Sequence, residues 1–386
     1  MRRAEIVIVG GGIAGLTAAN ALQQAGFGVR VLEARETAST AELGAGIHLW
    51  PNVIDCLHRL GLAEPVIERG TVVRRHRYLT WRERQIGTLD VEKLAAGAGF
   101  PAVGVTRTHL YQTLLQALEP GTVRFGISVT GFDRTDSGVI VRTGDGQSLR
   151  ADAVIGADGI GSVIRRQLHG PAEPRYCGLT AWHGTTDYQH PELVPGDMAI
   201  YWGPTGRILH YHVSDGELYW LALLQAPPRY PDVPGERQAE AIRRFRGWPA
   251  HVQSMVRSTP EERILRNHIL DRDPLQHWGR GRATIIGDAA HPMTPDRAQG
   301  AGQGIEDGLS VALAFQREPS VAEALRSFEE RRRDRANGFV KSSRQVSSVS
   351  TFTAKPMIAV RNEIVLRAVY RTHPWGTAQK EMIPVL

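Results

Sequence analysis

The chain has 386 residues, 42% of them hydrophobic and 22% charged, and a formal net charge of +6. That length buries a core in two domains or one large discontinuous one, with an ordinary globular composition. Two cysteines far apart, Cys56 and Cys177, argue against a disulfide scaffold or structural zinc, and no apolar run approaches the roughly 18–20 residues of a membrane helix.

"EIVIVG" is a β-branched run that passes at once into "GGIAG" and a helical pattern, "IAGLTAANALQQAG". The strand "VRVLEA" closes a βαβ unit of about thirty residues. The opening is therefore a buried strand rather than a signal peptide, and a cytoplasmic location is expected. "PNVIDCLHRLG" predicts a helix that starts at Pro51 and is ended by Gly61. Residues 71–90 predict a hairpin. "TRTHLYQTLLQAL" predicts a helix capped by Thr106 or Thr108, with Leu110, Leu114, Leu115 and Leu118 on one face. "GVIVRTGDGQSLRADAVIGADG" predicts a strand, a tight turn and a second buried strand. From about 176 to 274 aromatic and β-branched segments predict an antiparallel sheet, followed by helices over 235–257. "RATIIGDAAH" predicts a parallel strand running into a turn and helix, and "PSVAEALRSFEERRRDRANGFVKSSRQ" a long amphipathic helix. The arginine-rich runs "RRHRYLTWRER" and "EERRRDR" alternate with aromatic or acidic residues, which predicts a solvated surface and no nucleic-acid partner.

The glycines Gly10, Gly12 and Gly15 make a G-x-G-x-x-G turn between strand and helix. This arrangement permits a tight turn, lets a pyrophosphate approach the backbone and aims the helix N-terminus at it. Glu33 ends the second strand, where a carboxylate accepts from ribose hydroxyls. The motif predicts a dinucleotide site without separating NAD from FAD.

Two further segments separate them. "GADGIGSVIR" at 156–165 and "RATIIGDAAHPMTP" resemble the Asp-Gly and Gly-Asp motifs of the single-component FAD-dependent aromatic hydroxylases, the para-hydroxybenzoate hydroxylase-like family. With the first glycine turn they complete its three-part signature, and the resemblance spans essentially the whole chain. It implies an α/β (α+β overall) architecture: a Rossmann-like FAD-binding fold with an inserted, mainly antiparallel substrate sheet and C-terminal helices. The expected boundaries are 1–70, 97–175 and 275–345 for a discontinuous FAD domain, 71–96 and 176–274 for the substrate sheet, and 346–386 for a C-terminal helical segment.

The resemblance implies non-covalent FAD held by Gly10, Gly12, Ile13, Ala14, Gly15, Glu33, Ala34, Arg35, Arg107, Asp158, Arg165, Gly287, Asp288, Pro295, Gly300, Ala301 and Gly302. Asp288 is expected on the ribityl chain, Arg165 near the phosphates, and Asp158 near a groove shared with the nicotinamide. NADH or NADPH reduces the flavin by transient docking, O2 then gives a C4a-hydroperoxide, and an electron-rich ring attacks its distal oxygen. Neither a metal nor a membrane is implied, and the assembly is a monomer or homodimer.

"GAGIHLWPNV" at 44–53 is similar to the salicylate hydroxylase and 6-hydroxynicotinate 3-monooxygenase group, in which a histidine matching His48 handles the substrate hydroxyl. This makes His48 and Tyr211 the catalytic and substrate-binding candidates, with His210 or His212 as alternative inward-facing groups. Where the family usually has other residues, this chain has Asp296 and Arg297. Arg297 is a candidate grip on a substrate carboxylate, with an ion pair to Asp296 as the alternative. The expected substrate is a hydroxylated aromatic or N-heteroaromatic carboxylate, hydroxylated with or without loss of CO2. The competing readings are an epoxidase or tailoring oxygenase of a larger secondary metabolite, and a non-oxygenating FAD reductase or redox partner.

Overall fold

The structure, a computed structural model, describes residues 4–38, 45–228, 230–350, 355–361, 364, 381–384 and 386. The first strand, Glu5–Val9, lies at the centre of a five-stranded sheet. Gly28–Leu32 and Val123–Arg124 extend the sheet on one side; Ala153–Gly156 and Ala283–Ile285 extend it on the other, all parallel. Ile6, Val7 and Ile8 are fully buried, as a parallel strand covered on both faces requires. Helix Ile13–Gln24 packs on this sheet and is itself almost wholly buried. Its buried Asn20 amide donates to the carbonyls of Leu16 and Leu114 at 2.8 Å each, and the Thr17 hydroxyl to the Ile13 carbonyl at 2.7 Å. Thr106 caps the helix Arg107–Gln116 by accepting from the His109 N–H.

The second large sheet has seven strands in the order Ile264–Asp271, Arg175–Thr186, Glu217–Gln225, Gly206–Ser214, Asp197–Gly203, Arg75–Thr80 and Gln85–Asp90. Neighbours are antiparallel except at one joint, where Arg75–Thr80 runs parallel to Asp197–Gly203. The alternation of its strands divides the residues between two cores. His76, Tyr78, Met198, Ile200, Trp202, Leu209, Tyr211 and Tyr219 turn toward the nucleotide-type sheet, whereas Leu79, Trp182, Tyr201, Ile208 and Trp220 pack under helices Arg237–Arg244 and Ala250–Arg257. A small sheet of Gly46–Leu49, Ala102–Thr106 and Thr71–Val73 packs against the seven-stranded sheet. A separate meander joins Val129–Arg134, Val139–Thr143 and Ser148–Ala151.

The helix expected beyond the turn after "RATIIGDAAH" begins only at Gly300. Two 3-10 turns, Gly287–Ala289 and Pro295–Arg297, intervene, and the helix runs from Gly300 to Arg317. Pro292 and Pro295 account for the delay, since each lacks an N–H and restricts the residue before it. Val321–Ser350 forms the long helix, so residues 346–350 belong to it; Lys355–Val360 is a further short one. Most of the rest of the expected segment 346–386 lies outside the described residues. Among those described, no helix is long and apolar enough to cross a membrane.

Candidate active site

The first glycine turn opens a cleft of about 650 Å3. Gly10, Gly12, Ile13, Glu33, Ala34, Arg35, Arg107 and Asp158 all line it, with Tyr111, Gly159 and Gly161. Gly10 has φ of +101°, and a Cβ there would sit 2.4 Å from the Ala157 carbonyl oxygen, so only glycine fits. Gly15 is held closer still, since a Cβ there would sit 2.0 Å from the Gly10 carbonyl oxygen. At Gly12, Gly159 and Gly161, by contrast, a Cβ would meet nothing within 4 Å. That open, backbone-lined floor at a helix N-terminus fits a diphosphate. The Glu33 carboxylate accepts from the Gly11 N–H at 2.6 Å and from the Arg35 N–H and Nε–H at 2.9 and 3.0 Å. Burial works to raise its pKa, but the hydrogen bonds from Arg35 and Gly11 prevail and leave it below the ordinary value. Arg35 also lies over the Tyr111 ring at 5.7 Å.

Asp158 is used locally. Its carboxylate accepts from the Ser162 hydroxyl at 2.5 Å and the Val163 N–H at 2.7 Å, closing the turn into helix Val163–His169. Arg165, expected near the phosphates, is absent from the lining of the cleft. It donates to the carbonyls of Ala289 and Ala290, both at 2.9 Å, and so fastens that helix to the second glycine segment.

The second segment abuts the first. A Cβ on Gly287 or Gly304 would lie 2.8 or 3.0 Å from the methyl of Ala14, the second residue of the first helix. Asp288 is exposed in the turn Gly287–Ala289. Behind it lies a buried ionic cluster: Asp307 accepts from the Gly287 N–H at 2.9 Å, meets His291 Nε2 at 2.5 Å, and pairs with Arg332, which also pairs with Glu306. Asp307 is held below its ordinary pKa because the charges of His291 and Arg332 and these hydrogen bonds outweigh burial. Pro295 opens the next turn, and Gly300, Ala301 and Gly302 form the first turn of the helix that follows.

His48 is brought in by the small sheet. Gly104 pairs across from it, and a Cβ on Gly104 would sit 2.7 Å from the Tyr211 ring; one on Gly46 would sit 2.3 Å from Tyr219. These two glycines let the strands lie against the aromatic face of the seven-stranded sheet. The His48 ring then stands 6.0 Å from Tyr211, 4.6 Å from Trp50 and 5.1 Å from His76, with the two Nε2 atoms 3.4 Å apart. Burial holds the His48 pKa well below 6.5, with a further push from His76, and it holds Tyr211 well above 10. His210 stacks on Tyr201 at 5.9 Å on the opposite face.

Asp296 and Arg297 take different partners. Arg297 pairs with Glu381, and its carbonyl accepts from Trp50 Nε1 at 3.1 Å. Asp296 is buried and pairs with Arg207, which also donates to Ser350 and lies over Trp202 at 5.0 Å. The second oxygen of Asp296, Oδ2, is buried without a hydrogen-bond partner. Sequence reasoning missed Arg207, Trp50 and His76. The alternation in "GRILHYHVS" puts Arg207 on the same face as Tyr211, a signal usable only once Tyr211 is known to face inward.

Residues 3–343 match the family model FAD_binding_3, an FAD binding domain. The chain is 34% identical over 345 residues to the aurachin C monooxygenase/isomerase of Stigmatella aurantiaca, covering 89% of each chain. It is 34% identical to the 6-hydroxynicotinate 3-monooxygenase of Pseudomonas fluorescens, covering 80% of this chain and 81% of that one. Its fold superposes on Klebsiella pneumoniae HpxO complexed with FAD and uric acid with a TM-score of 0.91 at 27% identity, covering 99% and 97% of the two chains.

Proposed function

This chain belongs to the FAD binding domain family and is an FAD-dependent monooxygenase, and from that premise we propose that it uses NADH or NADPH and O2 to hydroxylate a hydroxylated aromatic or N-heteroaromatic ring. The observation that carries the substrate class is the buried roof of aromatic rings around His48, whose Nδ1 has no hydrogen-bond partner. A flat ring with one acidic hydroxyl suits that surface. FAD would lie with its ribose at Glu33, its diphosphate over Gly12 and its ribityl chain at Asp288, and its reduced ring supplies the activation of oxygen.

The protein's own part is positioning, dryness and proton handling. Burial keeps His48 neutral, so it accepts a hydrogen bond from the ring hydroxyl. As oxygen transfer withdraws electrons from the ring, that hydroxyl becomes acidic and its proton passes to Nδ1. Tyr211, held protonated, donates its O–H rather than competing for the proton. Asp296 Oδ2 is the second acceptor, for a ring N–H or amino group, and Arg207 holds that carboxylate in place.

A second reading retains the substrate carboxylate. It is less favoured because Arg207 and Arg297 already pair with Asp296 and Glu381, and a carboxylate would have to displace one of them.

Both readings are tested by oxygen-dependent NAD(P)H oxidation and product analysis with 6-hydroxynicotinate, uric acid and 4-hydroxyquinoline. Stimulated, product-forming turnover with a hydroxylated ring is expected, and a requirement for the carboxylate selects the second reading. His48→Ala should retain FAD yet lose product formation by roughly 10²–10⁴-fold. Indifference to every ligand, or unchanged turnover in His48→Ala, overturns the proposal.

A further inference from the structure

Resting on the reading of His48 as proton acceptor, we propose that His76 is a positioning residue: its Nε2 accepts the proton of His48 Nε2, which leaves the His48 Nδ1 lone pair free for the substrate hydroxyl. His76 comes from the strand Arg75–Thr80 of the large sheet, and His48 from the strand Gly46–Leu49 of the small one. Their Nε2 atoms are 3.4 Å apart, and both side chains are almost fully buried. Aromatic rings fix both imidazoles edge-on or tilted: Trp50 against each, Tyr211 against His48 and Tyr78 against His76.

Two neutral imidazoles meeting through their Nε2 atoms share one proton between those atoms. If His76 held it, His48 would carry its own proton on Nδ1 and offer the site only a donor. If His48 holds it, His48 Nδ1 is a lone pair. The second arrangement is the cheaper one, because His48 Nδ1 is buried without a partner and an orphaned buried N–H is worse tolerated than an unfilled acceptor. It is also the only one in which His48 takes up a proton at Nδ1. His76 thereby does for His48 what an outer hydrogen-bond partner does for any functional histidine: it selects the tautomer and the ring orientation.

The test is the tautomer itself, read by long-range 1H–15N correlation spectra of the 15N-histidine-labelled holoenzyme, with His48 assigned by its loss in His48→Gln. Wild type should show His48 protonated at Nε2. His76→Gln, whose side-chain oxygen reaches the place of Nε2, should keep that tautomer. His76→Phe, and His76→Asn as a second variant too short to reach, should mix or invert it while FAD stays bound, with product per NAD(P)H falling roughly 10–100-fold. His48 protonated at Nδ1 in wild type, or an unchanged tautomer in both His76→Phe and His76→Asn, overturns the proposal. If His48→Ala abolishes product while the His76 variants change nothing, His76 falls alone. If His48→Ala leaves product intact, the reading of His48 falls and takes this proposal with it.

Discussion

Trp50 Nε1 donates to the carbonyl oxygen of Arg297 at 3.1 Å, across 247 residues of sequence. That bond ties the turn after His48 to the loop before the helix Gly300–Arg317, and so links the wall carrying the histidine to the floor expected beneath the flavin. Trp50→Phe keeps the ring and removes the donor. It should lower stability by roughly 0.5–1.5 kcal/mol and reduce product formed per NAD(P)H, measured by thermal unfolding and coupling assays. A variant as stable and as well coupled as wild type would show that the bond holds nothing in place.

The two glycines of the first turn should fail in different ways. Gly10→Ala forces a Cβ into the Ala157 carbonyl at a backbone angle that only glycine favours, so the fold itself should suffer. Gly12→Val meets open space and should fold normally, yet occupy the place of the diphosphate. Circular dichroism and flavin content separate the two: a well-folded Gly12→Val that still retains FAD would move the diphosphate elsewhere.

Arg207 and Asp296 are buried together, so removing one is worse than removing both. Arg207→Met leaves a buried carboxylate unpaired and should cost roughly 3–5 kcal/mol in unfolding free energy. Arg207→Met/Asp296→Leu should recover much of that loss while hydroxylation stays impaired. Equal stability of the single and double variants in urea would count against a buried ion pair.

Buried neutral histidines make stability depend on pH. Burial holds His76 at about 3, and burial with the nearby charges of His251, His212 and Arg77 does the same for His210. Unfolded, both titrate near 6.5. Their stabilisation is therefore complete above about pH 6.5 and is lost as pH falls from there toward 3, because the unfolded chain binds protons that the native one refuses. Each contributes a slope of up to about 1.4 kcal/mol per pH unit. His210→Gln should make the stability profile shallower by that amount between pH 4 and 6, at constant FAD. An unchanged slope would mean that His210 is protonated in the native protein.

The fold class and a dinucleotide-type turn were legible because their signals are local, whereas FAD itself came from a resemblance carried by three segments far apart in the chain. Gly10, Gly12, Gly15 and Glu33 lie within one βαβ unit, and Thr106 caps the helix it immediately precedes. The partners of Arg165 were not legible for the opposite reason. Its own helix was recognisable, but its guanidinium is used on Ala289 and Ala290, which that helix meets only through the neighbouring parallel strands Ala153–Gly156 and Ala283–Ile285. The delayed helix at Gly300 was readable from Pro292 and Pro295, whose restriction on the backbone is a property of the residues themselves.

By itself, then, the sequence determined where the first glycine turn and its helix form and which runs become strands, since turn geometry and helix starts depend on neighbours in the chain. Only the tertiary structure decided that His48 meets His76, that Asp296 meets Arg207 rather than Arg297, and that Tyr211 instead of His210 shares the face of His48. The physical reason is the two-residue period of a β-strand. Which side chains face inward depends on register and on what packs above the sheet, and a slip of one residue would exchange Tyr211 for its neighbours.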